Sequence, residues 1–396
     1  MKIIFLSPWF PYPPVNGSKI RIFNLIKSLA SRHSVELISF VRDGEQVDHR
    51  GITDLCASIQ TINWVEFQPK RLKALSGFLA DVPRSVYDTY SREMEINVMQ
   101  SIQTCTPDLV IASELGTAPY AQKIRHAPTI LEDIEFGSIW EKWAEADKAL
   151  LRIRHGLTWF KTHCYIYKLL KHFTACTVVS SYEKFFLDQS FPDQNRIHVL
   201  PNGVDLENFQ PDSEQSVENT IIYNGSLMFS ANFDAIKYFL EQIYPQVKSQ
   251  IPDVFLSITG SYQGVDISGL CIDDTVKLTG FLPDIRPAIT KSWAVVVPLR
   301  TGGGTRIKIL EAMALGTPVI STYKGAEGLE VTPEKNILLA DDPADFARQT
   351  IRLLQDSDLR SRLSINGRKL VEAKYGWDEI GEQFLKLVED TAQKGL

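Results

Sequence analysis

The sequence is poor in cysteine and lacks long apolar runs, and both shortages narrow its class. Its five cysteines are scattered, odd in number and never arranged as a C-x-x-C pair. This pattern is typical of buried thiols in a reducing cytoplasm, so we expect neither a disulfide framework nor a cysteine-bound metal. Nowhere do about 18 apolar residues run together, and the four apolar residues before Ser7 are too few for a secretory signal. We therefore expect a cytoplasmic protein without a membrane-spanning helix.

The chain also lacks a surplus of positive charge. Its 42 lysines and arginines are outnumbered by 48 aspartates and glutamates, which gives a formal charge of −6. Proteins that bind nucleic acid neutralise phosphates with a basic surplus, so such a partner is not expected. Hydrophobic residues make up 44% of the chain, which is ordinary for a globular protein. Because 396 residues are more than one hydrophobic core usually organises, two domains are expected.

Apolar runs alternate with helical patterns along both halves of the chain. The first half has predicted strands at 2–6, 35–41, 108–112 and 129–131. The second half has predicted strands at 220–224, 254–259, 276–278, 294–297 and 319–321, with helices at 231–246 and 306–315. Repetition of strand, helix and strand predicts an α/β protein whose parallel sheets are covered by helices on both faces.

This alternation predicts two Rossmann-like, doubly wound domains that face each other across a cleft. Residues 1–200 form the first predicted domain and residues 201–374 the second, with a hinge near Pro201. Residues 375–396 contain an amphipathic helix, which needs an apolar surface on which to lie. In such sheets ligands bind beyond the carboxyl ends of the strands, where the strand order switches.

A glycine loop between a strand and a helix is the most informative segment. The loop consists of Gly302, Gly303, Gly304 and Thr305. Glycines let backbone N–H groups approach an anion, and the helix N-terminus adds positive potential. Arg306 and Lys308 place two cations in the first helical turn, where the helix dipole disfavours them, so they indicate a bound phosphate. A solvated basic turn after a flexible loop is the alternative interpretation.

Three further positions fit a bound nucleotide. Glu311 lies in the same helix within an apolar stretch, and its carboxylate suits the two hydroxyls of a ribose. Gly225-Ser226 and Gly17 follow the first strands of the two halves, where a backbone amide can meet a phosphate. A surface glutamate and two tight turns are the alternatives. None of these glycines forms a G-x-G-x-x-G fingerprint, so a dinucleotide site is not supported.

Four segments in register resemble the retaining family 4 glycosyltransferases. They are residues 199–205, Gly225-Ser226, residues 278–281 and residues 302–314. Members of that family have the architecture called GT-B, which consists of two Rossmann-like domains. The similarity extends over almost the whole chain and includes the opening loop that ends at Gly17.

The resemblance implies a donor site in the second domain and an acceptor site in the first. A UDP- or GDP-sugar would be the donor, and a glycan or lipid-linked sugar the acceptor. Gly225 and Ser226 would contact the diphosphate from one side and Gly17 from the other. Thr279 to Phe281 would hold the base, and Glu311 the ribose. The C-terminal helix would cross back to the first domain, and neither a metal nor another cofactor is expected.

The sequence departs from the family pattern at two places. A glutamate that many members carry before Glu311 falls here on Gly303, so backbone amides with Arg306 or Lys308 would replace it. In the first domain, Glu132 stands where many members have a histidine, and Asp133 follows it. An acidic residue there would either steady an oxocarbenium-like charge or position the acceptor hydroxyl.

Retaining transfer in this fold is commonly described as a front-face reaction, in which the leaving phosphate oxygen takes the acceptor proton. Arg306, Lys308 and the glycine-loop amides would then stabilise the diphosphate as an oxyanion hole does. Two alternatives are open. A nucleotide-sugar isomerase of the 2-epimerase type has a similar fold, and a catalytically degenerate nucleotide-sugar-binding protein is conceivable because of Gly303 and Glu132.

A basic and aromatic stretch covers residues 150–173. Its basic and aromatic members are Arg152, Arg154, Lys161, Lys168, Lys171, Trp159, Phe160, Tyr165 and Tyr167. Such a helix can lie on an anionic bilayer and meet a lipid-linked acceptor at the inner face of the membrane. The alternative is a long helix that is buried on one face and charged on its solvent edge.

Overall fold

The structure is a computed structural model that describes residues 1–42, 44, 47–192, 195–211, 216–303 and 306–394. It divides into two compact units. One comprises Met1–Pro201 with Asp378–Leu396, and the other comprises Asn202–Trp377. Each unit contains one parallel sheet with helices around it, which confirms the predicted α/β class.

The first unit has a seven-stranded sheet. Its strands are β1 (Lys2–Ser7), β2 (Ser34–Val41), β3 (Ser58–Asn63), β4 (Leu109–Ser113), β5 (Thr129–Glu132), β6 (Ala175–Val178) and β7 (Ile197–Val199). They lie in the order β3-β2-β1-β4-β5-β6-β7, and every neighbouring pair is parallel. The central strands are buried on both faces because they are continuous apolar runs, which is typical of parallel sheets.

Helices lie between most of these strands along the chain, as is usual for parallel strands. They are α1 (Gly17–Ala30), α2 (Leu72–Ser76), α3 (Arg84–Thr89), α4 (Arg92–Cys105), α5 (Glu114–Ala121), α6 (Gly137–Ala144), α7 (Ala149–His172) and α8 (Ser181–Ser190). Helix α1 begins where the Asn16 side chain accepts a hydrogen bond from the Lys19 amide at 3.0 Å. Its apolar face buries Ile22, Leu25 and Leu29.

The second unit has a six-stranded sheet with the same pattern of connections. Its strands are β8 (Thr220–Asn224), β9 (Phe255–Thr259), β10 (Val276–Gly280), β11 (Ala294–Val297), β12 (Val319–Ser321) and β13 (Leu338–Leu339). They lie in the order β10-β9-β8-β11-β12-β13, all parallel. In each sheet the order in which successive strands are added therefore reverses once. The reversal lies between β1 and β4 in the first unit and between β8 and β11 in the second.

The helices of the second unit pack on both faces of this sheet. They are α9 (Ser230–Tyr238), α10 (Tyr244–Gln250), α11 (Arg286–Thr290), α12 (Ile307–Ala314), α13 (Pro343–Gln355) and α14 (Ser357–Lys374). A turn of π-helix over Phe239–Ile243 joins α9 to α10, so the helix predicted at 231–246 is one continuous rod with a local bulge.

The last helix, α15 (Trp377–Lys394), returns to the first unit as the resemblance implies. It buries the apolar residues Ile380, Phe384, Leu385 and Val388. Gly381 lies so close to Ser28 of α1 that a Cβ atom there would be 2.3 Å from the serine oxygen. At the surface, Arg32 donates to the Glu382 carboxylate at 2.7 Å. Across the described ranges, none of the helices combines the length and apolar content needed to cross a bilayer.

Candidate functional site

The candidate residues of the second unit gather at the switch point between β8 and β11. Gly225 and Ser226 follow the carboxyl end of β8, and the glycine loop follows the strand β11 beside it. Helix α12, which carries Lys308 and Glu311, begins after that loop. The elements that carry these side chains are therefore brought together by the strand order, since carboxyl ends of parallel strands meet at one edge.

Two glycines at this edge are fixed by close approach of the backbone. The Gly225 amide donates to the Thr259 carbonyl at 3.0 Å, which pulls the turn after β8 against the turn after β9. Gly260 there has a φ of +113°, and a Cβ atom on it would lie 2.5 Å from the carbonyl carbon of Gly225. Only glycine fits position 260. Its lack of a side chain lets the turn after β9 pack directly against the backbone of the turn after β8.

Lys308 places its ammonium beside the same turn. Its Nζ donates to the Tyr223 hydroxyl at 3.1 Å and to Asn232 Oδ1 at 3.2 Å. The same nitrogen lies 4.4 Å from the centre of the Tyr223 ring. A Cβ atom on Gly225 would be only 2.7 Å from this ammonium. The cation therefore lies directly beside the Gly225 backbone. Both hydrogen-bond partners are neutral, and Glu311 is the carboxylate whose charge acts on this ammonium.

Burial moves the pKa values of Lys308 and Glu311 toward neutrality. Burial, with the Arg306 cation adding to it, lowers the pKa of Lys308 to about 7. Burial also raises the pKa of Glu311 to about 7, although the Lys308 cation opposes this change. The two residues are three positions apart on α12 and so lie on one face of it. An anion bound beside Lys308 would raise the pKa of its ammonium and keep it charged.

Asn224 holds Glu311, and sequence reasoning missed it. The amide Nδ2 of Asn224 donates to Glu311 Oε2 at 3.3 Å. Asn224 is buried, and within the described part of the chain its Oδ1 atom has no hydrogen-bond partner. A buried acceptor without a partner favours a ligand hydroxyl at this place. Its position as the last residue of β8, directly before Gly225, was the available signal. Tyr223 and Asn232 were missed as well.

Arg306 precedes α12 rather than lying in its first turn. Its guanidinium turns back and donates to the carbonyls of Gly302 at 2.6 Å, Gly303 at 2.8 Å and Lys324 at 3.0 Å. Arg306 therefore stabilises the conformation of the glycine loop through its carbonyls. Its role at the diphosphate stays a prediction. Gly304 and Thr305, the other predicted members of the loop, lie outside the described residues.

The predicted base contacts lie at the end of β10, the edge strand of the second sheet. The Thr279 hydroxyl donates to the Gly280 carbonyl at 3.1 Å, and the Phe281 ring is exposed. The Gly260 amide donates to the Gly280 carbonyl at 2.9 Å, which ties this strand end to the turn after β9. Thr279 and Phe281 are thus on the same edge of the sheet as Gly225.

In the first unit, Glu132 is completely buried and already paired. Its Oε1 accepts from Arg21 Nε at 2.5 Å, and its Oε2 accepts from the Ser113 hydroxyl at 2.6 Å. Glu132 is therefore not exposed to a substrate, and its predicted catalytic role stays a prediction. Gly17, predicted to contact the diphosphate, is exposed at the first position of α1.

Asp133 and Glu114 are the acidic residues that follow two adjacent strands of the first sheet. Both have left-handed backbones with a φ of 59°. Asp133 keeps 22% of its side chain exposed, and burial raises its pKa well above the usual range. Glu114 accepts from Trp9 Nε1 at 3.2 Å, and burial with the nearby Glu132 raises its pKa to about 7. Sequence reasoning missed Glu114, although it lies two residues after the strand predicted at 108–112 and directly follows β4.

The described residues contain no group of three or more histidine, cysteine, aspartate or glutamate side chains that could hold a metal ion. Such clusters are the usual donor sets for catalytic metals in proteins.

Comparison with known proteins gives a family match in the second unit. Residues 218–356 match the family described as "Glycosyl transferases group 1". A curated relative, the GDP-mannose-dependent monoacylated alpha-(1-6)-phosphatidylinositol monomannoside mannosyltransferase of Corynebacterium glutamicum, is 28% identical over 238 residues. That match covers 54% of this chain and only 61% of the relative's own length.

Two solved structures share the fold over nearly the whole chain. Sucrose-phosphate synthase from Thermosynechococcus elongatus has a TM-score of 0.71 at 18% identity, and covers 98% of this chain and 99% of its own. The Anabaena protein HepE in complex with UDP-glucose has a TM-score of 0.67 at 15% identity, and covers 98% of this chain and 100% of its own. At these identities the likeness shows the GT-B fold.

Proposed function

Because residues 218–356 belong to the glycosyl transferases group 1, we propose that the chain moves a sugar from a UDP- or GDP-linked donor to an acceptor hydroxyl with retention of configuration. The observation that carries this proposal is the Lys308 ammonium beside the Gly225 backbone at the switch point of the second sheet. A cation with neutral partners and a narrow glycine turn are what a diphosphate needs.

The donor would bind across the carboxyl edge of the second sheet. Its diphosphate would contact Lys308 and the amides of Gly225 and Ser226, while its ribose hydroxyls would donate to Glu311, which Asn224 holds in place. The base would lie toward Thr279 and Phe281 at the end of β10. The curated mannosyltransferase uses GDP-mannose and HepE was solved with UDP-glucose, so both bases are candidates here.

The reaction would develop negative charge on the leaving diphosphate as the glycosidic bond to the nucleotide breaks. Lys308 would stabilise that charge from a fixed position, which is the most effective form of electrostatic catalysis. The leaving phosphate oxygen would take the acceptor proton, so a separate base is not required. Arg306 would contribute by fixing the carbonyls of Gly302 and Gly303, and thereby the shape of the loop. We propose that no metal is needed.

The acceptor would bind at the carboxyl edge of the first sheet, near Asp133 and Glu114. Asp133 is partly exposed, and its carboxyl can position an acceptor hydroxyl, whereas Glu132 is already paired with Arg21. A glycan or lipid-linked sugar is the proposed acceptor, because the curated mannosyltransferase acts on a phosphatidylinositol mannoside. The five cysteines are all free, which fits the proposed location in the reducing cytoplasm.

A two-step experiment tests this function. A thermal-shift screen of UDP-, GDP- and ADP-sugars identifies the donor, since selective binding raises the melting temperature in proportion to affinity. The chosen donor is then incubated with glycan and glycolipid acceptors, and the products are separated by mass. We expect a product one sugar heavier than the acceptor. Conversion of the donor into an isomer without acceptor, or binding without turnover on every acceptor, would overturn the proposal.

A further inference from the structure

Two neighbouring segments of the first unit expose an unusual number of large apolar side chains. The first segment, residues 69–80, includes Leu72 and Leu79, whose side chains are 84% and 95% exposed. The second segment, residues 148–161, includes Leu150 at 83% and Ile153 at 70%. Leu75, Phe78, Leu151, Leu157 and Phe160 are also exposed. Scattered exposed leucines are ordinary, but a contiguous group marks a surface that contacts something else.

The exposed residues of α7 form one stripe along the helix. Leu150, Ile153 and Leu157 are spaced by three and four positions, and Lys161 follows four positions after Leu157. Residues with these spacings lie above one another on one face of a helix. The stripe therefore runs along the first half of α7 and ends at Lys161.

Lys161 joins the stripe to the other segment. Its ammonium donates to the carbonyls of Gly77, Phe78 and Ala80 at 2.9, 2.6 and 2.8 Å. Arg84 stabilises the same turn. It donates to the Ala74 carbonyl at 2.8 Å, and its guanidinium lies 3.8 Å from the centre of the Phe78 ring. Leu79 is thus held outward on a fixed turn beside the stripe. We name residues 69–80 and 148–161 together the docking surface.

The docking surface is basic although the protein is acidic. Its two segments contain seven lysines and arginines and no aspartate or glutamate, whereas the whole chain has a formal charge of −6. Five of these cations are exposed, namely Lys70, Lys73, Lys148, Arg152 and Arg154. Apolar side chains surrounded by cations are the combination that an anionic lipid bilayer attracts, because lipid headgroups meet the charges and the acyl region accepts the leucines.

We propose that the docking surface binds the chain peripherally to an anionic bilayer, with Leu72, Leu79 and Leu150 inserted below the headgroups. The contact is confined to the first half of α7 and to the turn after α2. In the second half of α7, Tyr165, Ile166 and Leu169 are buried in the core, so this face of the helix does not take part. This corrects the expectation from sequence that Tyr165 belongs to a membrane-facing stretch.

A second copy of this chain fits the docking surface poorly. Two copies that met through the same surface would bring two sets of seven cations together, with Asp81 and Asp147 as the acids that directly flank each set. Like charges at an interface weaken association, whereas an anionic bilayer compensates every one of them. The positive charge of the docking surface therefore favours an anionic bilayer over a second copy of the chain.

Vesicle co-sedimentation of the full chain tests the proposal. The probes are vesicles of phosphatidylcholine alone and of phosphatidylcholine mixed with phosphatidylglycerol, each at low and high salt. We expect binding to the mixed vesicles, weakened by salt, and little binding to phosphatidylcholine alone. Leu79→Asp with Leu150→Asp, and separately Arg152→Glu with Arg154→Glu, should each lower the partition coefficient at least about tenfold.

Matched controls separate docking from general damage. Ile365→Asp changes an exposed apolar residue of α14, and Lys277→Glu reverses an exposed cation of β10; both should bind vesicles as the unchanged chain does. Circular dichroism confirms that each variant folds. Equal binding by the docking-surface variants, or no binding of the unchanged chain to the mixed vesicles, would overturn the proposal. So would light scattering that shows a dimer which the docking-surface variants dissociate.

Discussion

At the scale of single residues, Lys308 carries the charge on which the proposed donor site depends. Replacing it by alanine should lower turnover at saturating donor by about 100- to 1000-fold, because a fixed electrostatic donor to the leaving group is lost. Folding should survive, since the variant also removes the desolvation cost of a buried ammonium. Steady-state kinetics with the identified donor, together with a thermal melt, measure both effects.

The matched control for this variant is Lys277→Ala, which removes an exposed cation from β10. It should keep the kinetics of the unchanged chain. If Lys308→Ala turned over donor at the normal rate, the ammonium would have no part in stabilising the diphosphate.

The same residues predict how nucleotide affinity depends on pH. Glu311 has its pKa raised to about 7, so it loses its charge as the pH falls below neutrality and accepts ribose hydroxyls less well. Lys308 has its pKa lowered to about 7, so it loses its charge as the pH rises above neutrality and binds diphosphate less well. Affinity for UDP or GDP, measured by calorimetry, should therefore peak near pH 7.

Two variants test which residue causes the loss of affinity on each side of the pH optimum. Glu311→Gln should flatten the acidic limb, and Lys308→Arg should flatten the alkaline limb because a guanidinium stays charged. A profile that is level from pH 5.5 to pH 8.5 in the unchanged chain, roughly the span over which groups near pH 7 titrate, would contradict the assignment.

Glu132 and Asp133 are neighbours with different expected roles. Glu132→Ala removes the nearer of two carboxylates beside the buried Arg21 cation and leaves Asp133 at 3.9 Å, so it should cost about 3 kcal/mol of stability. Asp133→Asn replaces a carboxyl whose pKa is already raised, so stability should change little while turnover falls. Denaturant unfolding and kinetics on both variants compare the two effects. A stable and active Glu132→Ala protein would show that the buried pair is dispensable.

At the scale of elements, the turns after β8 and β9 form the narrow base of the donor site. Gly260→Ala should destabilise the second unit by about 1–3 kcal/mol and weaken nucleotide binding, because the new Cβ would meet the Gly225 backbone. Gly269→Ala is the matched control, since nothing lies within 4 Å of a Cβ atom there. Similar unfolding midpoints for the two variants would mean that the close approach is not required.

The sequence was sufficient for most strands, including the edge strand β10, but it missed β3, β6, β7 and β13. Strands β1, β2, β4 and β8 are buried apolar runs, so their pattern was evident. Strand β3 reads Ser58–Asn63 and buries only Ile62, so it lacks the run that identifies a strand. Strand β13 has two residues, which is too short for any periodic signal. Burial alone was not enough, because β6 is fully buried but its four residues, Ala175–Val178, are a short run that contains Cys176 and Thr177.

The side-chain partners at the site were beyond the reach of the sequence. Its motifs placed Gly225, Lys308 and Glu311 on neighbouring strand and helix ends, and the structure brings them to one edge of the second sheet. Arg306 turns back to the carbonyls of its own loop, and Glu132 pairs with Arg21 of a distant helix. Such pairings depend on packing between elements far apart in sequence, and local spacing carries no information about them.

At the scale of the whole molecule, the chain repeats one architecture with two different chemistries. Both sheets switch strand order once. The second has the Lys308 cation and a glycine turn at its switch point, whereas in the first Glu114 follows β4 at the switch point and Asp133 follows the neighbouring β5. A diphosphate suits the second edge and a neutral, hydroxylated molecule suits the first. This division of chemistry is what a transferase with a charged donor and a sugar acceptor requires.

A crystal structure of the chain with UDP or GDP is the most direct test. It should show diphosphate oxygens within hydrogen-bond distance of Lys308 Nζ and of the amides of Gly225 and Ser226, with the ribose hydroxyls on Glu311. A nucleotide bound at another place, or one whose phosphates leave Lys308 without contact, would contradict the account.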